Sequence, residues 1–433
     1  MKTTLNLLLF LFAFLSTSCQ ETSKAEQSQF VTVKDGQFIK NGEPYYYVGA
    51  NFWYGGILGS KGEGGDRERL LRELDDLKSH GVTNLRVAVG GEGETTYASK
   101  ITPILQPNPG EYNQELLDGL DYFMAELSKR DMQAVLYLAN AWEWSGGFTQ
   151  YLMWTGELPA DFDAENCGWA GYRDAATKFV RSAKARELLD NHIKFIVSRT
   201  NSYTGVKYVD DPAIFAWQLC NEPRAFSDES KESLYDWVKS TSNLIRSIDK
   251  NHMISTGSEG RMGSEGDIEL FERVHALENI SYINAHMWAL NWKWINSDDM
   301  EGTIDGAVEK CEAYLAEHIA VAERLKKPLV FEEFGLPRDN AAILRGTTTV
   351  HRDRVYKTVF DMIVKSKNEA GAFAGCNFWA WGGEAEQIPG QEFWLKDMDY
   401  SGDPPQEAQG LNSVFSDDES TIAIIEQTAN ELK

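Results

Sequence analysis

AIFAWQLCNEP, residues 213–223, is a short apolar run that breaks off in Asn221, Glu222 and Pro223. A run of that length bounded by turn-forming residues reads as a buried strand. A carboxylate at its mouth loses hydration, so it is either paired or put to use. PLVFEEFG, residues 328–335, repeats the arrangement with Glu332 and Glu333. Working outward, six more strand candidates appear: YYYVGA (45–50), NLRVAV (84–89), QAVLYLA (133–139), MISTG (253–257), SYINAH (281–286) and FAGCNFW (373–379). Helical periodicities lie between them, such as Leu70, Leu74 and Leu77 closed by Gly81, or Val308, Cys311, Leu315 and Ala322. Eight strands, each followed by a helix, are the number that closes an α/β (β/α)8 TIM barrel. Ahead of them, FVTVKDGQFIKNGEPYYY carries the turn pairs Asp35-Gly36 and Asn41-Gly42 and predicts a short N-terminal β-hairpin.

Loop lengths say which end of the barrel works. Helix-to-strand connections are short, as at Gly81-Val82-Thr83, Arg130-Asp131, Lys250-Asn251-His252 and Lys326-Lys327. Connections leaving strand C-terminal ends are long: 90–111, 140–170, 287–303, 334–350 and 380–417. Long loops cost entropy, and in a barrel they gather over the C-terminal face, where active sites are built. All 13 tryptophans except Trp217 and Trp237 fall at strand ends or in these loops. Core packing explains some of them but not their crowding at one end, whereas broad aromatic faces suit the C–H faces of sugar rings.

The N-terminus, MKTTLNLLLFLFAFLSTSCQ, sets Lys2 before an apolar run that is too short to span a bilayer, and reads as a signal peptide over 1–19. It resembles a bacterial lipoprotein signal, which implies lipidation of Cys19 and anchoring in the cell envelope, in a Gram-negative outer membrane; plain secretion is the alternative. Residues 20–29, QETSKAEQSQ, form a polar tether, leaving 30–433 as the catalytic barrel. Cys167, Cys220, Cys311 and Cys376 show neither paired nor metal spacing, so no disulfide framework is assigned, and Cys220 and Cys376 read as buried small side chains. The net charge of −24 repels phosphate backbones and polyuronates, so nucleic acid and acidic glycans are excluded as partners and neutral substrates remain. No GxGxxG, GxxxxGK or HExxH run is present; neither a cofactor nor a metal is expected. The glycine-rich GILGSKGEGG (56–65), with its own mixed charges, reads as a solvent loop.

Two carboxylates at the mouths of strands four and seven face each other across the central pit, which is what glycoside hydrolysis needs: an acid for the leaving oxygen and a carboxylate on the far side of the anomeric carbon. On strand seven the twofold period puts Glu333 with Leu329 and Phe331, and Glu332 with Val330 and Phe334, so only one glutamate is expected to point inward, and periodicity leaves the choice open.

The motifs GANFWYGG (49–56), STGSEG (255–260), HMWALNWKW (286–294), FEEFGLPRD (331–339), FWAWGGE (378–384) and DPPQEAQGLNSVF (403–415) resemble clan A glycoside hydrolases of family 5, within it the endo-β-1,4-mannanase subfamily. The resemblance implies Glu222 as general acid/base and Glu333 as nucleophile of a retaining enzyme, with Arg86, Asn221 and His286 in support. It also implies that Trp379 floors the cleavage subsite, at a position often followed by a cis peptide. Trp53, Trp142, Trp144, Glu259 and Trp288 are the further substrate-binding candidates. Trp288 stands where many members carry a tyrosine, so the hydrogen bonding around the nucleophile differs. The implied substrate is mannan, glucomannan or galactomannan cut at internal β-1,4 linkages by a monomer that meets a membrane only through its lipid. Competing readings are a β-1,4-glucan hydrolase, a mannan transglycosylase, and a non-catalytic surface glycan-binding protein; the last has no need of opposed carboxylates.

Overall fold

Eight parallel strands form one sheet in the computed structural model, which describes residues 29–94 and 97–433. The signal peptide, Cys19 and the tether up to Ser28 lie outside the described residues. The barrel strands are β1 (Tyr47–Asn51), β2 (Asn84–Ala88), β3 (Gln133–Tyr137), β4 (Ile214–Gln218), β5 (Met253–Ser255), β6 (Ile283–Met287), β7 (Leu329–Phe334) and β8 (Phe373–Phe378). Each falls on its expected run. β1 pairs with β8 as well as β2, so the sheet curls into a cylinder whose order runs β5-β4-β3-β2-β1-β8-β7-β6. The seam between β5 and β6 is closed by one backbone bond, Ser281 N to Ile254 O (2.7 Å), and by the Asn284 side chain. Its Oδ1 accepts from Thr256 Oγ1 (2.9 Å) and Gly257 N (3.2 Å), and its Nδ2 donates to Ser258 O (3.1 Å).

A helix follows every strand: α1 (Arg67–Ser79), α2 (Gln114–Lys129), α3 (Ala183–Val197), α4 (Lys231–Ile248), α5 (Ile268–His275), α6 (Met300–Leu325), α7 (Val350–Asn368) and α8 (Glu419–Glu431). Side chains fix several of their starts: Asp66, Asn113, Ser182, Asp267 and Asp299 each accept a first-turn N–H. On α1, Leu70, Leu74 and Leu77 form the wholly buried stripe that their spacing predicts. Among the described residues no helix is long and apolar enough to cross a membrane.

The N-terminal segment is a three-stranded antiparallel meander, Thr32–Lys34, Gln37–Lys40 and Glu43–Pro44, one strand more than a hairpin. Both expected turn pairs supply the left-handed φ that tight turns need, 52° and 84° at Asp35-Gly36 and 55° and 86° at Asn41-Gly42. Phe38 packs edge-on against Phe215 (5.2 Å) and Tyr282 (5.4 Å), beside the N-terminal ends of β4 and β6, and closes the barrel floor.

Residues 56–60 correct the solvent-loop expectation, which holds for the largely exposed stretch 61–65. Gly55–Leu58 is a short helix turned against α2, and a Cβ on Gly59 would stand 2.3 Å from Gly119 O, so the glycines there serve close packing. At the other face, Trp381–Gly383 and Val414–Phe415 pair in parallel and pin together the two ends of the 380–417 loop.

Candidate active site

β4 ends at Gln218, but its backbone keeps bonding to both neighbours: Leu219 N to Ser255 O (3.0 Å), Asn221 N to Ala139 O (2.7 Å) and Glu222 N to Gly257 O (2.8 Å). Glu222 itself sits at φ 49°, a left-handed conformation that a non-glycine residue holds only where its surroundings impose it. A Cβ on Gly257 would lie 1.7 Å from Cys220 O, so only glycine lets β5 approach this closely.

On β7 the structure corrects the expectation that one glutamate points inward. The register against β6 shifts between Phe331, opposite Ala285, and Glu333, opposite His286. This bulge interrupts the twofold alternation, and both carboxylates reach the barrel interior. Glu333 Oε1 accepts from Arg86 Nη1 at 2.5 Å. Glu332 lies 3.8 Å from Arg86 Nε and accepts from Gln218 Nε2 (2.5 Å) and Tyr282 Oη (2.9 Å). Glu333 borders the cavity that also contains Glu222, whereas Glu332 is wholly buried.

Arg86 has a partner in every direction. Besides Glu333 it donates to Gln218 Oε1 (2.8 Å), Asn51 Oδ1 (3.0 Å) and Asn221 Oδ1 (2.7 Å), and its guanidinium lies over the Tyr137 ring at 4.6 Å. His286 Nδ1 stands 2.7 Å from Glu222 Oε1 and 3.3 Å from Glu333 Oε2, bridging the pair. Trp142 Nε1 donates to Glu222 Oε2 at 2.6 Å. One donor atom each from Glu222, His286 and Glu333 lie within 4.8 Å of one another. That trio has the composition to ligand a cation, but Arg86 already supplies a positive charge in contact with Glu333.

Burial pushes both carboxyls up. Arg86 opposes this on Glu333, while Arg224 and the Trp142 and Trp288 N–H groups oppose it on Glu222. Burial, aided by Arg86, holds the His286 imidazole well below its ordinary range and therefore neutral.

The cavity above, about 420 Å³, is lined by Trp142, Trp144, Trp288, Trp379, Asn221 and Glu259 among the expected residues. Trp379 packs edge-on against Trp288 (5.8 Å) and is followed by a cis peptide to Ala380, as expected. Trp53 is corrected to a packing residue. Its indole N–H is spent on Gly402 O (3.0 Å), its ring packs on Trp144 and Tyr400, and it does not border this cavity. Glu259 is paired with Arg224, over which the Trp142 ring lies at 5.5 Å. Arg224, Trp169, Asn291, Gln406 and Glu407 also line the cavity and were not singled out from the sequence. Four of them lie in or beside motifs already quoted: Arg224 follows Asn-Glu-Pro, Asn291 falls in HMWALNWKW, and Gln406 and Glu407 fall in DPPQEAQGLNSVF.

Residues 28–433 match the family model described as GH family 5 beta-mannosidase-like. The chain belongs to glycoside hydrolase family 5. Among its relatives, mannan endo-1,4-beta-mannosidase 7 of Arabidopsis thaliana is 28% identical, with 98% of this chain and 92% of the relative covered. The family 5 mannosidase of Rhizomucor miehei is 33% identical and superposes with a TM-score of 0.84, covering 94% of this chain and 98% of that one. The endo-1,4-beta-mannanase of the same organism, at 22% identity and TM-score 0.66, covers 93% and 99% and shares the fold. The bulged β7 and the buried Arg86 are thus features of a family 5 glycoside hydrolase cavity.

Proposed function

We propose that this glycoside hydrolase cleaves β-1,4-mannosidic linkages of mannan, glucomannan or galactomannan at internal positions, with retention of configuration. The observation that carries this reading is the pair Glu222 and Glu333, whose nearest donor atoms lie within 4.8 Å across the barrel mouth. Retaining pairs stand roughly 5–5.5 Å apart and inverting pairs roughly 6.5–9.5 Å, because inversion must leave room for a water.

In a pair this close, only the first deprotonation is cheap. Contact with Arg86 places that charge on Glu333, and the charge keeps the proton on Glu222. Glu333 attacks the anomeric carbon, the glycosidic C–O bond breaks, and the Glu222 proton passes to the departing oxygen. Once Glu333 is a neutral ester, the repulsion on Glu222 is gone. Glu222 then takes a proton from water as the water oxygen displaces Glu333, which returns as a carboxylate. His286, neutral and facing both carboxylates, orients them without adding charge. Asn221, fixed by Arg86, is placed for the hydroxyl beside the reacting carbon, where a bond that tightens in the transition state speeds the reaction. Release of reducing sugar from mannan, glucomannan and carboxymethylcellulose, compared side by side, tests the assignment; faster release from carboxymethylcellulose than from mannan would overturn it.

The greater likeness to the Rhizomucor miehei mannosidase than to that organism's endo-mannanase favours a second reading, end-wise removal of mannose. The first products from mannohexaose separate the two: mannose alone for end-wise action, mixed oligosaccharides for internal cuts. We also take residues 1–19 as an export signal with Cys19 lipidated, 20–29 as the tether and 30–433 as the catalytic part. Fatty-acid labelling that persists in a Cys19→Ala variant would overturn the lipid anchor.

A further inference from the structure

The turn that carries Trp142 is tied down by one buried carboxylate. Glu92, just beyond β2, is wholly buried and does not border the catalytic cavity. Its Oε2 accepts from Gly147 N (3.2 Å) and its Oε1 from Tyr151 Oη (3.2 Å), both on the helix Gly147–Trp154. Its backbone N donates to Ser145 O (2.7 Å). Two glycines let the chain close around it. A Cβ on Gly146 would stand 2.2 Å from Glu92 O, and one on Gly147, at φ 59°, would stand 2.3 Å from Trp142 O. The loop after β2 adds two more ties: Lys100, 1% exposed, donates to Gly93 O (2.9 Å), and Ile101 N donates to Trp144 O (2.7 Å).

Burial pushes the Glu92 carboxyl up to about 7, against the Gly147 and Gly91 N–H groups and the charge of Lys100. An acid kept in so costly a place, away from the cavity, serves through what it holds. What it holds is the segment 142–147, which brings Trp142, Glu143 and Trp144 to the cavity wall. Trp142 touches the chemistry directly, because its Nε1 donates to Glu222 Oε2 at 2.6 Å. A donor on a carboxylate favours the charged form, so this contact holds Glu222 below the value that burial alone would give it. Such a bond weakens steeply with misalignment, and the backbone of the turn aims the indole.

Given Glu222 as the general acid/base, we propose that Glu92 is a positioning residue for the proton transfer: by fixing the 142–147 turn it keeps the Trp142 N–H on Glu222, and so sets the pH at which the acid loses its proton. The tie works through geometry, and its sign separates it from a direct charge effect. Losing the N–H raises the Glu222 carboxyl, whereas removing a negative charge that acts through space lowers it.

The test follows kcat/KM for mannohexaose against pH, whose basic limb reports loss of the Glu222 proton, with folding checked by circular dichroism. Trp142→Phe removes the N–H outright and should move that limb up by roughly one to two units, the scale of a hydrogen bond to a charged group. Glu92→Ala, and Glu92→Asp, which is one methylene short of Gly147 N, should move it the same way by at least roughly half a unit. Glu92→Ala should add nothing to Trp142→Phe in the double variant. Glu92→Gln keeps both bonds, because Tyr151 Oη can accept as well as donate, and should stay on the wild-type limb. The charged and titratable groups facing Glu222, namely Arg86, Arg224, Glu259, His286, Glu333 and Glu407, are the same in every variant. Those facing Glu92 are Lys100, Tyr112, Tyr151 and Cys220, also unchanged.

An unmoved limb in the folded Ala and Asp variants, however far Tm falls, would make Glu92 a structural tie only and overturn the inference, as would shifts that add in the double variant. A downward limb in both Glu92→Ala and Glu92→Gln would show charge acting through space and overturn it too. Should Glu92→Ala not fold, Glu92→Asp against Glu92→Gln decides. A limb that stays in place in Trp142→Phe would detach it from Glu222 and overturn the assignment of the acid, whereas a shift there with every Glu92 variant unmoved overturns this inference alone.

Discussion

Arg86 Nη1 stands 2.5 Å from Glu333 Oε1, and both side chains are shut off from solvent. Removing the guanidinium strands the Glu333 charge in the interior, which raises its carboxyl further. Arg86→Ala is therefore expected to move the acid limb of the kcat/KM profile to higher pH and to cost about 3–5 kcal/mol in urea unfolding, as for other buried pairs broken from one side. Glu332 shares the same guanidinium at 3.8 Å. Glu332→Gln removes a like charge from the neighbourhood of Glu333, so its acid limb should move the opposite way; an unshifted limb would show that Glu332 carries no charge at working pH.

The two carboxylates are separable by their products. Glu222→Ala should lower kcat roughly 10²–10⁴-fold on unactivated glycan, and on an aryl β-mannoside, whose leaving group departs without a proton, added azide should restore turnover with a β-mannosyl azide as product. Glu333→Ala with azide should give the α-mannosyl azide instead, because the small anion enters from the face the carboxylate vacates. Product anomers assigned by NMR check this, and the same anomer from both variants would contradict the division of roles.

Gly257 is the backbone partner of Glu222 and sits at φ 82°. Gly257→Ala places a methyl against Cys220 O in a conformation that side chains avoid, so the loss should exceed the roughly 0.4–1 kcal/mol scale of compatible glycine replacements. Activity should fall along with the melting temperature, since the displaced strand end carries the acid. A variant with lowered Tm and unchanged kcat would show that Glu222 is positioned from elsewhere.

Stability in acid has a separate source at the barrel floor. Burial disfavours charge on Asp249, but hydrogen bonds from His252 and Trp217 outweigh it and hold its carboxyl down to about 2. A depressed carboxyl stabilises the fold fully above its unfolded value of about 3.9 and loses that contribution as pH falls toward 2. Asp249→Asn should therefore flatten the fall in unfolding free energy between about pH 4 and pH 2, measured by urea titration at each pH.

The eight strands were legible because each is a short apolar run between turn signals, and the helix stripes because leucines recur on one face. The expectation of alternating faces on β7 failed for a physical reason: the bulge at Glu332 depends on its register against β6, and a register is a relation between two distant segments. Trp53 was misassigned because position at a strand end is the same for a side chain that enters the cavity and one that turns under it. Glu407 was overlooked because nothing local marks an acid that a folded loop carries back to the barrel mouth.

The meander closed by Phe38 has an orientational consequence. Phe30 rests on His252 (4.9 Å between rings), so the first described residues lie at the closed end of the cylinder, opposite the carboxylates. A leash attached there would hold the molecule by its base, with the sugar-binding mouth turned outward to meet chains arriving from the surroundings.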